Sequence, residues 1–213
     1  ANLVVLLPGS RDGEIRRLFA SMLETAAMLN ESRPELRYVV AAPRERIAAQ
    51  LRTMLAQWRE SCPKAVLPEI RIVCGETGHW LQRGGAGLAA SGTVTVECAI
   101  AGLPLVVVYR VNELTYRLGR MLVKLPYFTM VNLIAGRELF REFLQDAVVP
   151  ANLARELQAI LPGGPRRTEV EAGMAEVTVS LGAGSAGASR RAAAAVVEIL
   201  KGDRPRHAET PRC

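Results

Sequence analysis

The sequence predicts an α/β fold: a Rossmann-like parallel sheet flanked by helices, with extra helices at the carboxyl end. Three observations predict it. Short apolar runs of strand length alternate with helical periods through the first half of the chain. The runs are apolar at successive positions, as strands covered on both faces by helices must be. The core is aliphatic, since 49% of the 213 residues are hydrophobic and only 5% aromatic.

The elements follow in order. Residues 4–7 form a buried strand that Pro8-Gly9-Ser10 breaks. Ile15, Leu18, Phe19, Met22, Ala26 and Leu29 then recur at helical spacing until Pro34. Residues 38–41 make a second strand, and Pro43 opens a helix that runs to about Arg59. Residues 70–74 make a third strand, and a short helix around Trp80 to Arg83 leads to a fourth at 87–90. Residues 93–101 read as a helix stopped by Gly102 and Pro104, and 105–109 as a fifth strand. The second half reads as helical: a stretch at 114–144 interrupted by Pro126 and Asn132, then segments near 151–161, 165–181 and 188–201. Residues 1–201 are expected to form one domain, with 202–213 a disordered tail.

Composition narrows the function. No apolar run reaches the roughly 18 residues that span a bilayer, and no secretory signal opens the sequence. The chain begins directly on a core strand without Met, so it is expected to be a portion of something longer. Cys62, Cys74, Cys98 and Cys213 are unpaired in spacing, and His79 and His207 lie far apart, so neither a metal nor a cofactor is expected. A net charge of +6 favours an anionic partner: phosphate, nucleic acid or an acidic membrane. Scarce aromatics argue against stacking on nucleic-acid bases.

Four segments carry candidate chemistry. Gly9, Ser10 and Arg11 lie between a strand end and a helix start, where free backbone N–H groups, a hydroxyl and a guanidinium suit an anion. A plain turn, with Ser10 or Asp12 capping the helix, accounts for the same residues. Ser91, Gly92 and Thr93 repeat this arrangement, and Glu97 follows about one turn later, where a carboxylate can bond two ribose hydroxyls. A Ser/Thr cap with a helix-dipole Glu is the alternative there. Asn132 and Arg137 follow in a mostly apolar segment, where an Asn often marks a needed amide hydrogen bond, although a loop Asn and surface arginines account for the same residues. Across 110–141, Arg110, Arg117, Arg120, Lys124, Arg137 and Arg141 face only Glu113 and Glu138, a pattern that suits an anionic membrane surface as well as core packing.

Together these motifs resemble lipid-A-disaccharide synthase, an inverting glycosyltransferase of the GT-B fold. The resemblance runs through Leu6-Leu7-Pro8-Gly9-Ser10-Arg11, Ala90-Ser91-Gly92-Thr93 with Glu97, Ala101-Gly102-Leu103-Pro104 and Tyr109-Arg110. Its most specific stretch is Asn132-Leu133-Ile134-Ala135-Gly136-Arg137-Glu138, followed by Glu142-Phe143-Leu144-Gln145. It implies the carboxyl-terminal, donor-binding domain of that fold. The implied reaction transfers 2,3-diacylglucosamine from its UDP derivative to 2,3-diacylglucosamine 1-phosphate, without a metal. The implied donor residues are Arg11, Asn132 and Gln145, with Glu97 for the ribose by analogy.

The resemblance also implies a Gram-negative source and a location at the cytoplasmic face of the inner membrane, bound peripherally to its anionic surface. A homodimer is a further expectation that the resemblance carries. The family's general base lies in an amino-terminal domain that no segment here matches, so no catalytic residue is assigned and the chain is expected to be inactive alone. Residues 83–87 are glycine-rich where the family pattern leads one to expect an acidic residue, leaving uracil without an assigned reader. Another UDP-sugar enzyme of the same fold, an epimerase or an undecaprenyl-linked N-acetylglucosaminyltransferase, and a non-catalytic basic membrane module are the alternative readings.

Overall fold

Six parallel strands form one sheet in the order β3-β2-β1-β4-β5-β6 in a computed structural model that describes residues 2–63, 65–112, 126–182, 193–194 and 196–197. The strands are β1 (Leu3–Leu7), β2 (Arg37–Ala42), β3 (Ile70–Cys74), β4 (Ala86–Ala90), β5 (Leu105–Tyr109) and β6 (Glu142–Leu144). The helices are α1 (Asp12–Ser32), α2 (Glu45–Ser61), α3 (Thr77–Arg83), α4 (Val94–Ala101), α5 (Met130–Ala135), α6 (Pro150–Ile160) and α7 (Arg167–Ser180). A 3-10 turn, Gln145–Ala147, joins β6 to α6.

The apolar runs become the buried centre of this sheet. Val4, Val5, Leu6, Val40, Leu88, Val106 and Val108 are almost wholly covered. The helical period of α1 turns Ile15, Leu18, Phe19, Met22 and Leu29 inward, and α1 packs on α2 and α6. Truncating Phe19 or Leu18 would open a cavity costing about 3–5 kcal/mol, so these contacts hold the platform under the loops.

The order of the strands places the site. From β1 the chain builds outward through β2 and β3, then returns to the other side of β1 for β4, β5 and β6. The connections leaving β1 and β4 therefore diverge, and a crevice opens between them at the carboxyl edge.

Two differences from the sequence reading have physical causes. The stretch at 114–144 is not largely helical in its described part. α5 stops at Gly136, whose φ of 65° is left-handed, and Glu142–Leu144 then pairs with Val107–Tyr109 as a sixth strand. Residues 114–125 of that stretch, most of the 188–201 helix and the 202–213 tail lie outside the described residues. The glycines before β4 serve packing: a Cβ on Gly84 would sit 2.6 Å from Leu103 Cδ1 and 2.7 Å from Val5 Cγ2. One on Gly87 would sit 2.8 Å from Leu105 Cδ1. Glycine lets β1, β4 and the Leu103 side chain close together at the amino end of β4, away from the crevice.

Candidate active site

The cleft lies over the parting of β1 and β4 and holds about 440 Å³. Leu7, Gly9, Ser10, Arg11 and Glu14 form one wall, and Ala90 through Val94 with Glu97 form the facing wall. Ala41 and Pro43, after β2, and Thr77, at the start of α3, complete the rim.

On the first wall the chain leaves β1 at Leu7 and turns sharply. Gly9 has φ 108°, a torsion that requires glycine, and a Cβ there would also press on Glu14, whose Oε2 lies 2.7 Å away. The α1 N-cap is Arg11, in extended conformation, and no side chain caps it. Asp12 is not a cap either. Its carboxylate takes a two-pronged bond from Arg46 Nη1 and Nη2, both at 3.0 Å, and the Arg46 hydrogen bond holds the Asp12 carboxyl below its ordinary pKa. That pair joins the starts of α1 and α2 beside the rim. Arg11 donates to Glu14 at 3.1 Å with its side chain 82% exposed, so the guanidinium is at the mouth and free to turn.

The second wall repeats the device. Thr93 is the N-cap of α4, again with no side-chain cap bond, and Thr95 Oγ1 turns back to Gly92 O at 2.8 Å. Ser91 N–H donates to Val108 O at 3.0 Å, which fixes the start of the loop to β5. Glu97 is exposed on the cleft side, while Cys98 is buried beneath it. Burial, with the Glu97 charge adding to it, pushes the Cys98 thiol up to about 12, so it is no nucleophile at neutral pH. Among the described residues, no cluster of three or more His, Cys, Asp or Glu could hold a metal.

Two helix N-termini without side-chain caps thus face one crevice from opposite sides. Free N–H groups, positive helix ends, the Ser10 and Thr93 hydroxyls and the Arg11 guanidinium converge there, and this set suits a diphosphate. Seven of the residues singled out from sequence line the cleft: Gly9, Ser10, Arg11, Ser91, Gly92, Thr93 and Glu97.

Asn132, Arg137 and Gln145 are placed differently, outside that lining. Asn132 is fully buried, and its amide is consumed within the domain. Its Oδ1 accepts from Leu139 N and Phe140 N, both at 2.9 Å, and its Nδ2 donates to Phe140 O at 2.7 Å and Glu142 Oε1 at 2.8 Å. Arg137 donates to Glu176 of α7 at 2.6 Å. Gln145, with φ 47°, bonds both backbone groups of Val111: Oε1 accepts from N at 2.8 Å and Nε2 donates to O at 3.1 Å. Asn132 and Gln145 therefore fix backbone at the β5–β6 edge rather than facing the cleft.

The family model for lipid-A-disaccharide synthetase matches residues 1–196. The chain belongs to this family. Lipid-A-disaccharide synthases similar to it include that of Solibacter usitatus (strain Ellin6076), 39% identical over 200 residues, covering 94% of this chain and 49% of that protein. That of Myxococcus xanthus (strain DK1622) is 38% identical over 205 residues, covering 94% and 50%. That of Pseudomonas aeruginosa (strain UCBPP-PA14) is 41% identical over 167 residues, covering 78% and 42%. The chain thus spans about half the length of the curated relatives it matches.

Solved structures share the GT-B type of fold. A Listeria monocytogenes protein assigned as a UDP-N-acetylglucosamine 2-epimerase has TM-score 0.55 and 17% identity, over 98% of this chain and 48% of that one. A TarM variant of S. aureus, solved with Fondaparinux, alpha-GlcNAc-glycerol and UDP, has TM-score 0.54 and 9% identity, over 84% and 32%.

In this member of the lipid-A-disaccharide synthetase family, the cleft includes residues that the sequence reading did not assign to the site. Glu14 is one, and its spacing of three from Arg11 on one helix was the available signal. Pro43 and Thr77 reach the rim through the chain crossings after β2 and β3, which no local pattern announces. Outside the cleft, Glu142, to which the sequence assigned no role, is a hub of hydrogen bonds beside Asn132.

Proposed function

We propose that the chain is the donor-binding half of a lipid-A-disaccharide synthase, acting on UDP-2,3-diacylglucosamine and 2,3-diacylglucosamine 1-phosphate. The products are the β-1,6-linked lipid A disaccharide and UDP. One observation carries the reading: in a chain of this family, uncapped starts of α1 and α4 face each other across a cleft at the β1/β4 parting.

In this reading the diphosphate lies between Gly9-Ser10-Arg11 and Ser91-Gly92-Thr93, and Glu97 accepts from the ribose hydroxyls. The backbone N–H groups are fixed before reaction, so they stabilise the charge that grows on departing UDP at little reorganisation cost, and Arg11 turns in from the mouth to add its charge. Glu14 holds the Arg11 guanidinium at the mouth until the diphosphate competes for it. Inversion at the sugar carbon needs a base to take the acceptor hydroxyl's proton. We assign that base to the other half of the family's length, so this chain binds donor without transferring it. The acylated substrates call for the cytoplasmic face of the inner membrane as the site of action. Exposed Phe128, Met130, Leu133 and Ile134 support contact with such a surface, and among the described residues no helix is long and apolar enough to cross it.

Calorimetric titration with UDP tests the reading. Wild type should bind, with Arg11→Ala and Glu97→Ala each weaker by about tenfold or more, the equivalent of roughly 1.4 kcal/mol. Equal affinity in all three would refute the site. UDP-2,3-diacylglucosamine should compete at least as well as UDP-N-acetylglucosamine; a clear preference for the unacylated sugar would point to a different UDP-sugar enzyme.

A further inference from the structure

Glu142 stands outside the cleft but bonds the turn beside it. Its Oε1 accepts from Thr129 N at 2.8 Å, Thr129 Oγ1 at 2.9 Å and Asn132 Nδ2 at 2.8 Å. Its Oε2 accepts from Phe128 N at 2.8 Å. Four donors thus converge on the two oxygens of one half-buried carboxylate. Thr129 in turn caps α5, its Oγ1 accepting from Asn132 N at 3.2 Å. Glu142 thus ties β6, the start of α5 and the Phe128 turn into one unit.

That turn touches the cleft wall. Ser91, which lines the cleft, donates its hydroxyl to Phe128 O at 3.4 Å. The Phe128 ring stacks on Tyr109, at the end of β5, with centroids 6.2 Å apart and planes 24° from parallel. The Ser91 bond is long, so the hydroxyl keeps the freedom to turn toward an anion, while the turn bounds the wall on the β5 side.

We propose that Glu142 is a positioning residue for the donor site: through the Phe128 turn it sets where Ser91 and the mouth of α4 stand. The inference rests on the donor reading above. It also gives Asn132 a role at a distance, since its buried amide completes the same unit.

Glutamine at 142 separates positioning from folding. Its single oxygen satisfies the three donors that Oε1 serves, and its NH2 then faces Phe128 N–H, releasing that one bond. Glu142→Gln should therefore keep the α5 cap while freeing the turn. Two measurements decide the matter: UDP affinity by calorimetry at a temperature where both proteins are folded, and amide hydrogen exchange over 91–94 and 126–129.

Support is an affinity lower by about tenfold with a melting temperature within about 2 °C of wild type, and faster exchange in both segments. Unchanged affinity, or a loss explained by the unfolded fraction, overturns the proposal. Thr129→Ser, which keeps the hydroxyl, should bind as wild type does, and Thr129→Val should not; equal behaviour of the two also overturns it. If wild type itself binds no UDP, the donor reading fails, and exchange alone decides. Faster exchange at 91–94 in Glu142→Gln then supports the coupling, and unchanged exchange there refutes it.

Discussion

Gly9→Ala is the substitution whose consequence is most fully set by the structure. At φ 108° an L side chain is strained whatever the space, and Glu14 must also give way: the new Cβ would sit 2.7 Å from Glu14 Oε2 and 3.2 Å from Glu14 Cβ. The torsion alone costs about 1–3 kcal/mol. The Glu14 end can swing aside, but doing so gives up its bond to Arg11. At about 2–4 °C per kcal/mol for a domain of this size, the melting temperature should fall by several degrees, and UDP binding should weaken with it. Gly92→Ala is the matched control. A Cβ there meets nothing within 4 Å and the backbone imposes no positive φ, so stability should stay within about 0.5 kcal/mol. Its methyl nonetheless enters the opposite wall of the cleft, so UDP affinity should fall without a stability loss. Denaturant unfolding and calorimetry on both variants check this. Equal stability of Gly9→Ala and wild type, or equal losses for the two glycines, would refute the description of the turn.

Two further outcomes follow from buried groups. The Cys98 thiol, raised to about 12 against an ordinary value of 9.0, stays neutral in the folded protein while the unfolded chain ionises, so its contribution is present below pH 9 and lost as pH climbs toward 12. Unfolding free energy measured between pH 8 and about 11 should fall less steeply in Cys98→Ala than in wild type; parallel curves would contradict the burial. Gly87→Ala should destabilise by about 1–3 kcal/mol through overlap with Leu105 and Leu103, yet leave UDP affinity unchanged when both proteins are folded, as parallel unfolding and calorimetry would reveal.

The legible parts of the sequence were those with local causes. Apolar runs gave five strands because a strand covered on both faces has no polar position to spare. Gly9 and Gly92 stood out because glycine at a strand end marks close backbone approach, and both walls of the cleft were readable from them. β6 was missed because three residues, Glu142–Leu144, carry too little pattern, and their pairing with β5 is a tertiary fact. Asn132 stands out in the sequence as an amide in an apolar segment, but a sequence does not say whether its partners are solvent, ligand or backbone, and here they are Leu139, Phe140 and Glu142. The glycines before β4 were read against the family pattern, when their reason is the Val5 and Leu103 side chains that crowd them.

The central claim is that UDP lies across the starts of α1 and α4. Backbone amide shifts in an NMR titration of this chain with UDP test it most directly. The account predicts the largest saturable shifts at Ser10, Arg11, Gly92 and Thr93, with Glu97 following. Shifts concentrated at the Arg52 and Arg59 groove beside β3, or none at millimolar UDP, would contradict it.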